Sequence, residues 1–188
     1  IKRVKHMNID SEQITLDKSL VVAQDQPLSE KKLQECLINV LGKNKCKILK
    51  VPPRKWVLEY IDNGKVYHLL VRTCTYLGNP HPIYKKRVQL PLWFNEYVNT
   101  INKQDTKIDI RYIGVYHYGD EHHGDNVIFV DFKKDTYLSK KGHNSSAHIY
   151  TNDLFQAMTY GVFTKEDYFC NNISTIRRDK FQSYLTNK

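Results

Sequence analysis

At 188 residues the chain is long enough to bury a full hydrophobic core and short enough to make one main domain. A hydrophobic fraction of 40% and a charged fraction of 26% are those of a globular protein, which excludes a disordered or low-complexity chain. The net charge of +9 attracts phosphate or an anionic membrane surface, and so bears on partner class without fixing the fold.

Residues 1–46 read as an N-terminal extension, with Ile1 to His6 ahead of Met7 adding nothing to the fold. Within it, Leu33, Cys36, Leu37, Val40 and Leu41 recur at helical spacing. Ser29 is the expected N-cap, Glu30 suits the first turn, and Gly42 is the expected stop. The apolar face of this helix is expected to pack on the main sheet.

From residue 47 onward the pattern turns to strands. Lys45 to Val51 is a short one, and Trp56 to Ile61 and Lys65 to Thr75 flank an Asn63-Gly64 pair. Both residues of that pair tolerate positive φ, so the spacing predicts a type I′ hairpin. Arg87 to Leu90 is a further strand, and Pro91 is expected to open a helix at its first position. On that helix Trp93, Phe94, Tyr97, Val98 and Ile101 form an aromatic stripe read as core. Lys107 to Tyr118 alternates as a strand, with Gly114 expected at a bend or bulge, and Asn126 to Phe132 returns. Ala147 to Tyr150 is a short strand, followed by a helix to Tyr160 that Gly161 ends. Val162 and Phe163 add one more strand, and the tail around Phe181 and Leu185 reads as a terminal helix. Many short strands with two short helices and no βαβ rhythm predict a mainly β open barrel rather than a doubly wound sheet.

Two segments concentrate the positive charge. The first, Arg72 to Arg87, carries Arg72, Lys85, Lys86 and Arg87 with no acid, interleaved with Thr73, Thr75, Tyr76, Asn79, His81 and Tyr84. The second, Lys133 to Tyr150, carries Lys133, Lys134, Lys140 and Lys141, then His143, Asn144, Ser145, Ser146 and His148. A lysine pair alone usually does no more than solvate a surface. Two cationic, donor-rich loops leaving strands of one barrel are what holding a polyanion and inspecting its edges requires. Arg72, Lys85, Lys86, Arg87, Lys134, Lys140 and Lys141 are the expected phosphate anchors. Tyr76, Asn79, His81, Tyr84, His143, Asn144, Ser146 and His148 are the expected base or sugar contacts, and Thr73, Thr75 and Ser145 complete the expected DNA-binding set. The expected geometry sets the stretches flanking Gly78 and Gly142 side by side on one rim.

Other chemistry is weaker. The run Asp120, Glu121, His122, His123 and Asp125 has metal-friendly residue types, but neighbouring histidines on a loop point apart, and a solvated hairpin tip is the commoner case. Asp131-Phe132-Lys133 has the acid-x-Lys form of divalent-metal nucleases, with Asp109 or Asp120 as the upstream acid. The alternative function is therefore a stand-alone metal-dependent nuclease using Asp131 and Lys133. Ser145, Ser146 and His148 lack an oxyanion signature, and there is no Walker spacing. An RNA-binding protein would show aromatics on an open sheet face, whereas these fall at core spacing. Cys36, Cys46, Cys74 and Cys170 fit neither a zinc site nor a disulfide framework, and reduced thiols are expected. No apolar run reaches the roughly eighteen residues of a membrane span, and no signal-peptide pattern is seen. A cytoplasmic chain with no membrane partner, no metal and no cofactor is expected.

The order strand, polar loop, Arg87-Val88-Gln89-Leu90-Pro91, helix, strand pair, loop, Asn144 to Thr151, helix resembles the B-three DNA-binding domain. That fold occurs in plant transcription factors and in the target-reading domains of restriction endonucleases of the EcoRII and BfiI type, with a related domain in some McrB-type restriction subunits. The resemblance runs over about residues 47 to 165. It implies a seven-stranded open pseudobarrel over 47–188, with the two basic segments as the N-arm and C-arm that grip the major groove. It also implies sequence-specific binding of double-stranded DNA within a restriction system, with cleavage or NTP-driven translocation supplied by a fused or associated nuclease or NTPase domain.

Overall fold

The computed structural model describes residues 27–105, 107–118, 126–138, 144–167 and 171–187. Among the described residues, nine strands join in one mainly antiparallel sheet. They are β1 (Cys46–Val51), β2 (Lys55–Asp62), β3 (Lys65–Tyr76), β4 (Lys85–Leu90), β5 (Asp109–His117), β6 (Val127–Phe132), β7 (Ser145–Tyr150), β8 (Val162–Glu166) and β9 (Asn172–Arg177). The helices are α1 (Glu30–Leu41), α2 (Leu92–Gln104), α3 (Asp135–Leu138), α4 (Thr151–Tyr160) and α5 (Phe181–Thr186). The main path is β1-β2-β3-β5-β6-β9-β8, with β4 branching from β3 and β7 pairing β4. This is the open, mainly β architecture with short helices that the pattern predicts. Nine strands replace the expected seven, chiefly because β9 escapes the periodicity argument. Its Ile173, Ser174, Thr175 and Ile176 are all buried, and two adjacent polar residues between the isoleucines break the alternation that would mark a strand.

Local chemistry sets the element ends. The Ser29 side chain accepts from Lys32 N at 3.3 Å to start α1, and Gly42 at φ +101° lets the chain leave it. Asn63 and Gly64 take φ of 48° and 77°, as a type I′ hairpin requires. Pro91 is the residue before α2 rather than its first member. Gly114 makes no bulge, because the register runs through it without interruption on both sides. A Cβ there would lie 2.9 Å from both Phe132 and Val88, so close packing is what requires glycine.

Strands β4 and β7 are covered on one face, whereas β2, β3, β5 and β6 are covered on both. On one, Leu70, Val88, Tyr112, Ile128 and Ile149 pack with Phe94 and Val98 of α2 and Leu154 and Ala157 of α4. On the other, Leu58, Leu69, Ile113 and Phe129 pack with Leu33, Cys36, Leu37 and Leu41 of α1 and Phe181 and Leu185 of α5. Phe129 and Phe181 stack with ring centres 4.0 Å apart. Val88, Leu90, Ala147 and Ile149 seat β4 and β7 on the first of these cores and leave their other face outward.

Candidate nucleic-acid interface

The strands that carry the two basic segments are hydrogen-bonded neighbours. β4 and β7 run antiparallel, with Arg87 opposite His148 and Gln89 opposite Ser146, while Arg87 also faces Thr75 of β3. Alternation then divides the side chains. Val88 and Leu90 of β4 and Ala147 and Ile149 of β7 point into the core. Lys85, Arg87 and Gln89, with Ser146, His148 and Tyr150, fall on the opposite parity, where Arg87, Gln89 and Ser146 are exposed and the others half-buried. Thr73 and Thr75 are half-buried on β3, and Arg72 is exposed further down that strand.

Because the ladder is antiparallel, the first loop enters it through Tyr84 at the Lys85–Tyr150 end, and the second segment enters it through Asn144 at the Leu90–Ser145 end, about 17 Å away. The expectation that the stretches flanking Gly78 and Gly142 share one rim falls partly on residues outside the described ones. Gly142 itself, with Lys140, Lys141 and His143, lies outside the described residues.

The first loop is held rigidly. Tyr76 Oη donates to the His81 carbonyl and lies 3.3 Å from Asn79 Oδ1. The Tyr84 carbonyl accepts from Thr151 N at 2.9 Å, and the Tyr84 ring stacks on Tyr150 at 6.2 Å. Tyr76 and Tyr84 thus shape the loop, leaving Asn79 and His81 exposed on it. The second segment is tied down by Asn144, whose Oδ1 accepts from Leu92 N at 2.9 Å and so satisfies the first helical amide of α2. Lys133 is exposed, and half-buried Lys134 lies 3.8 Å from Asp135.

Two of the expected contact residues are corrected by their burial. Lys86 is fully buried, its ammonium 5.9 Å from the Tyr76 ring centre and 5.4 Å from that of Tyr116. It shares parity with Val88 and Leu90, faces the barrel interior and cannot anchor a phosphate there. Ser145 is buried at the start of β7. In the other direction, exposed Gln89 lies in the middle of the face and was not among the expected contacts. The alternation Arg87-Val88-Gln89-Leu90 would have identified both Gln89 and Lys86.

The proximity of the two segments shows in the electrostatics of His148. Burial pushes the His148 imidazole down to about 4, helped by the charges of Lys85, Arg87 and His81. At neutral pH His148 is therefore uncharged, with one ring nitrogen donating and the other accepting. As pH falls from about 6.5 toward that value, the unfolded chain takes up the proton first, so acid removes stability from this arrangement.

Asp131 is engaged elsewhere. Arg111 Nη1 donates to Asp131 Oδ2 at 2.6 Å, and Tyr184 Oη donates to the same oxygen at 2.8 Å. The same guanidinium binds Asp109 through two bonds of 2.7 and 3.1 Å, and Lys65 lies 3.4 Å from Asp109. Burial opposes the Arg111 charge, but the hydrogen bonds and charges of Asp109 and Asp131 outweigh it and raise its pKa. Burial and the Asp131 charge push the Tyr184 phenol up to about 12. The two carboxylates considered for a metal thus converge on an arginine. The acidic run from Asp120 to Asp125 lies outside the described residues. No helix among the described residues is long and apolar enough to cross a membrane.

A model of the family described as methylase-associated X1 matches residues 65–185. No curated protein and no solved structure matches the chain.

Proposed function

The chain belongs to the methylase-associated X1 family, which links it to restriction-modification systems, and on that premise we propose that it is a target-reading DNA-binding domain of such a system. The outer face of β4 and β7 lies against the major groove, and the loops at either end of the ribbon reach the flanking phosphates. The domain is B-three-like in this reading. Cleavage or translocation belongs to an associated nuclease or NTPase.

The observation that carries the reading is the register that sets Arg87 against His148 and Gln89 against Ser146. A two-stranded ribbon fits the major groove, where each base pair presents a distinct set of donors and acceptors. Arg87 suits guanine, Gln89 suits adenine, and a neutral His148 beside Ser146 can either donate or accept. Lys85, Lys133 and Arg72 supply charge around that row. Asp131 is held by Arg111 and Tyr184, which favours recognition over metal-dependent cleavage.

Selection from random duplexes, with and without base methylation, is expected to enrich one short motif. Gln89→Ala should relax the preference at one position of it, by about 1–3 kcal/mol. Recovery of unenriched sequence after repeated rounds would overturn the reading.

A further inference from the structure

We infer that the β1–β2 hairpin is an additional phosphate-binding element, which extends the duplex contact past the second basic segment. The inference rests on the DNA-binding reading above, but it concerns residues that precede the family match, which begins at residue 65.

The hairpin is strongly and asymmetrically charged. Lys45 is bound to Asp62, and Lys47 lies opposite Glu59, so the charge free of acid begins further along. Lys50 and Arg54 are both exposed, and among the described residues no carboxylate forms an ion pair with either. Arg54 takes φ +142°, in the region that ordinarily favours glycine, so the turn places an arginine at its tip at a conformational cost. Lys55 extends its ammonium over the Trp93 ring, 5.3 Å from the centre.

Topology brings this tip to the proposed interface. β5 occupies one edge of β3 from Tyr67 to Cys74. β2 pairs the opposite edge up to Leu69, and β4 pairs β3 past the end of the β5 ladder, at Thr75 and Tyr76. Continued at the same registers, Lys55 of β2 and Leu90 of β4 both come level with exposed Arg72. Leu90 leads through Pro91 into α2, whose Leu92 is held by Asn144 and whose Trp93 lies under Lys55. The hairpin tip, Arg72 and the start of β7 thus gather at one end of the ribbon. A duplex lying along β4 and β7 would pass its backbone over Lys50 and Arg54 there.

The test uses the full chain, a fluorescently labelled random-sequence DNA duplex, and affinity followed across salt. The pair Lys50→Gln and Arg54→Gln removes two phosphate contacts, so the slope of log affinity against log salt should become shallower by about 2. Between about 50 and 200 mM salt the variant should lose roughly tenfold less affinity than the wild type. The control Lys31→Gln with Lys32→Gln removes the same charge from exposed positions on α1, and its slope should match the wild type. A steep wild-type slope left unchanged by Lys50→Gln and Arg54→Gln overturns the hairpin's role alone, as does an equal reduction in the control. A wild-type affinity indifferent to salt removes the DNA-binding reading itself, and this inference with it.

Discussion

Replacing Asp131 with alanine is expected to destabilise the fold by about 3 kcal/mol, seen as a lower urea midpoint at unchanged slope. The carboxylate is buried between the sheet and α5, and it accepts from both Arg111 and Tyr184. Removing it leaves the Tyr184 hydroxyl without that acceptor and takes from Arg111 one of its two carboxylates. The loss stays below that of an orphaned buried charge because Asp109 still binds the guanidinium. A metal-ligand carboxylate behaves in the opposite sense. In a metal-free protein its removal relieves repulsion from neighbouring acids, and the midpoint holds or rises. An unchanged or raised midpoint for Asp131→Ala would therefore restore the nuclease alternative.

Raising salt from about 50 to 200 mM should weaken duplex binding by on the order of a thousandfold, if about six phosphates are neutralised. Arg87→Ala should weaken binding and, by removing a cation near His148, move the imidazole back toward its ordinary range. Proton linkage gives a second signature. Burial chiefly keeps His148 neutral, and phosphates beside Lys85 and Arg87 offset the repulsion that adds to it, so binding takes up a proton and affinity improves as pH falls toward about 4. The free chain loses stability over the same interval. A salt-independent affinity would contradict phosphate contact, and an affinity unchanged by mild acid would separate His148 from the interface.

Much of the frame is legible in the sequence because its determinants are local. Ser29, Gly42, Asn63 and Gly64 act through their own backbone preferences within one turn, and the structure places each as its chemistry predicts. The charge of the two basic segments is equally visible. Their relative placement is not, because the pairing of β4 with β7 joins residues far apart in sequence through backbone bonds that any side chain can make. Loop composition carries no register, and it is the antiparallel pairing that sets Tyr84 and Asn144 at opposite ends of the ribbon. Lys86 departs from expectation for a different reason. Its charge suggests solvent, but its parity is that of Val88 and Leu90, and it enters the core with its ammonium against two tyrosine rings. Gly114 shows the same limit, since the side chains that crowd it come from β4 and β6.

The central claim is that the outer face of β4 and β7 touches duplex DNA. A photo-crosslinking residue placed at Gln89, and separately at Thr164 on the edge strand β8, tests it directly, since both positions are exposed. With a labelled duplex, the account predicts a covalent protein–DNA adduct from position 89 and none from position 164. Adducts formed equally from both, or from position 164 alone, would contradict it.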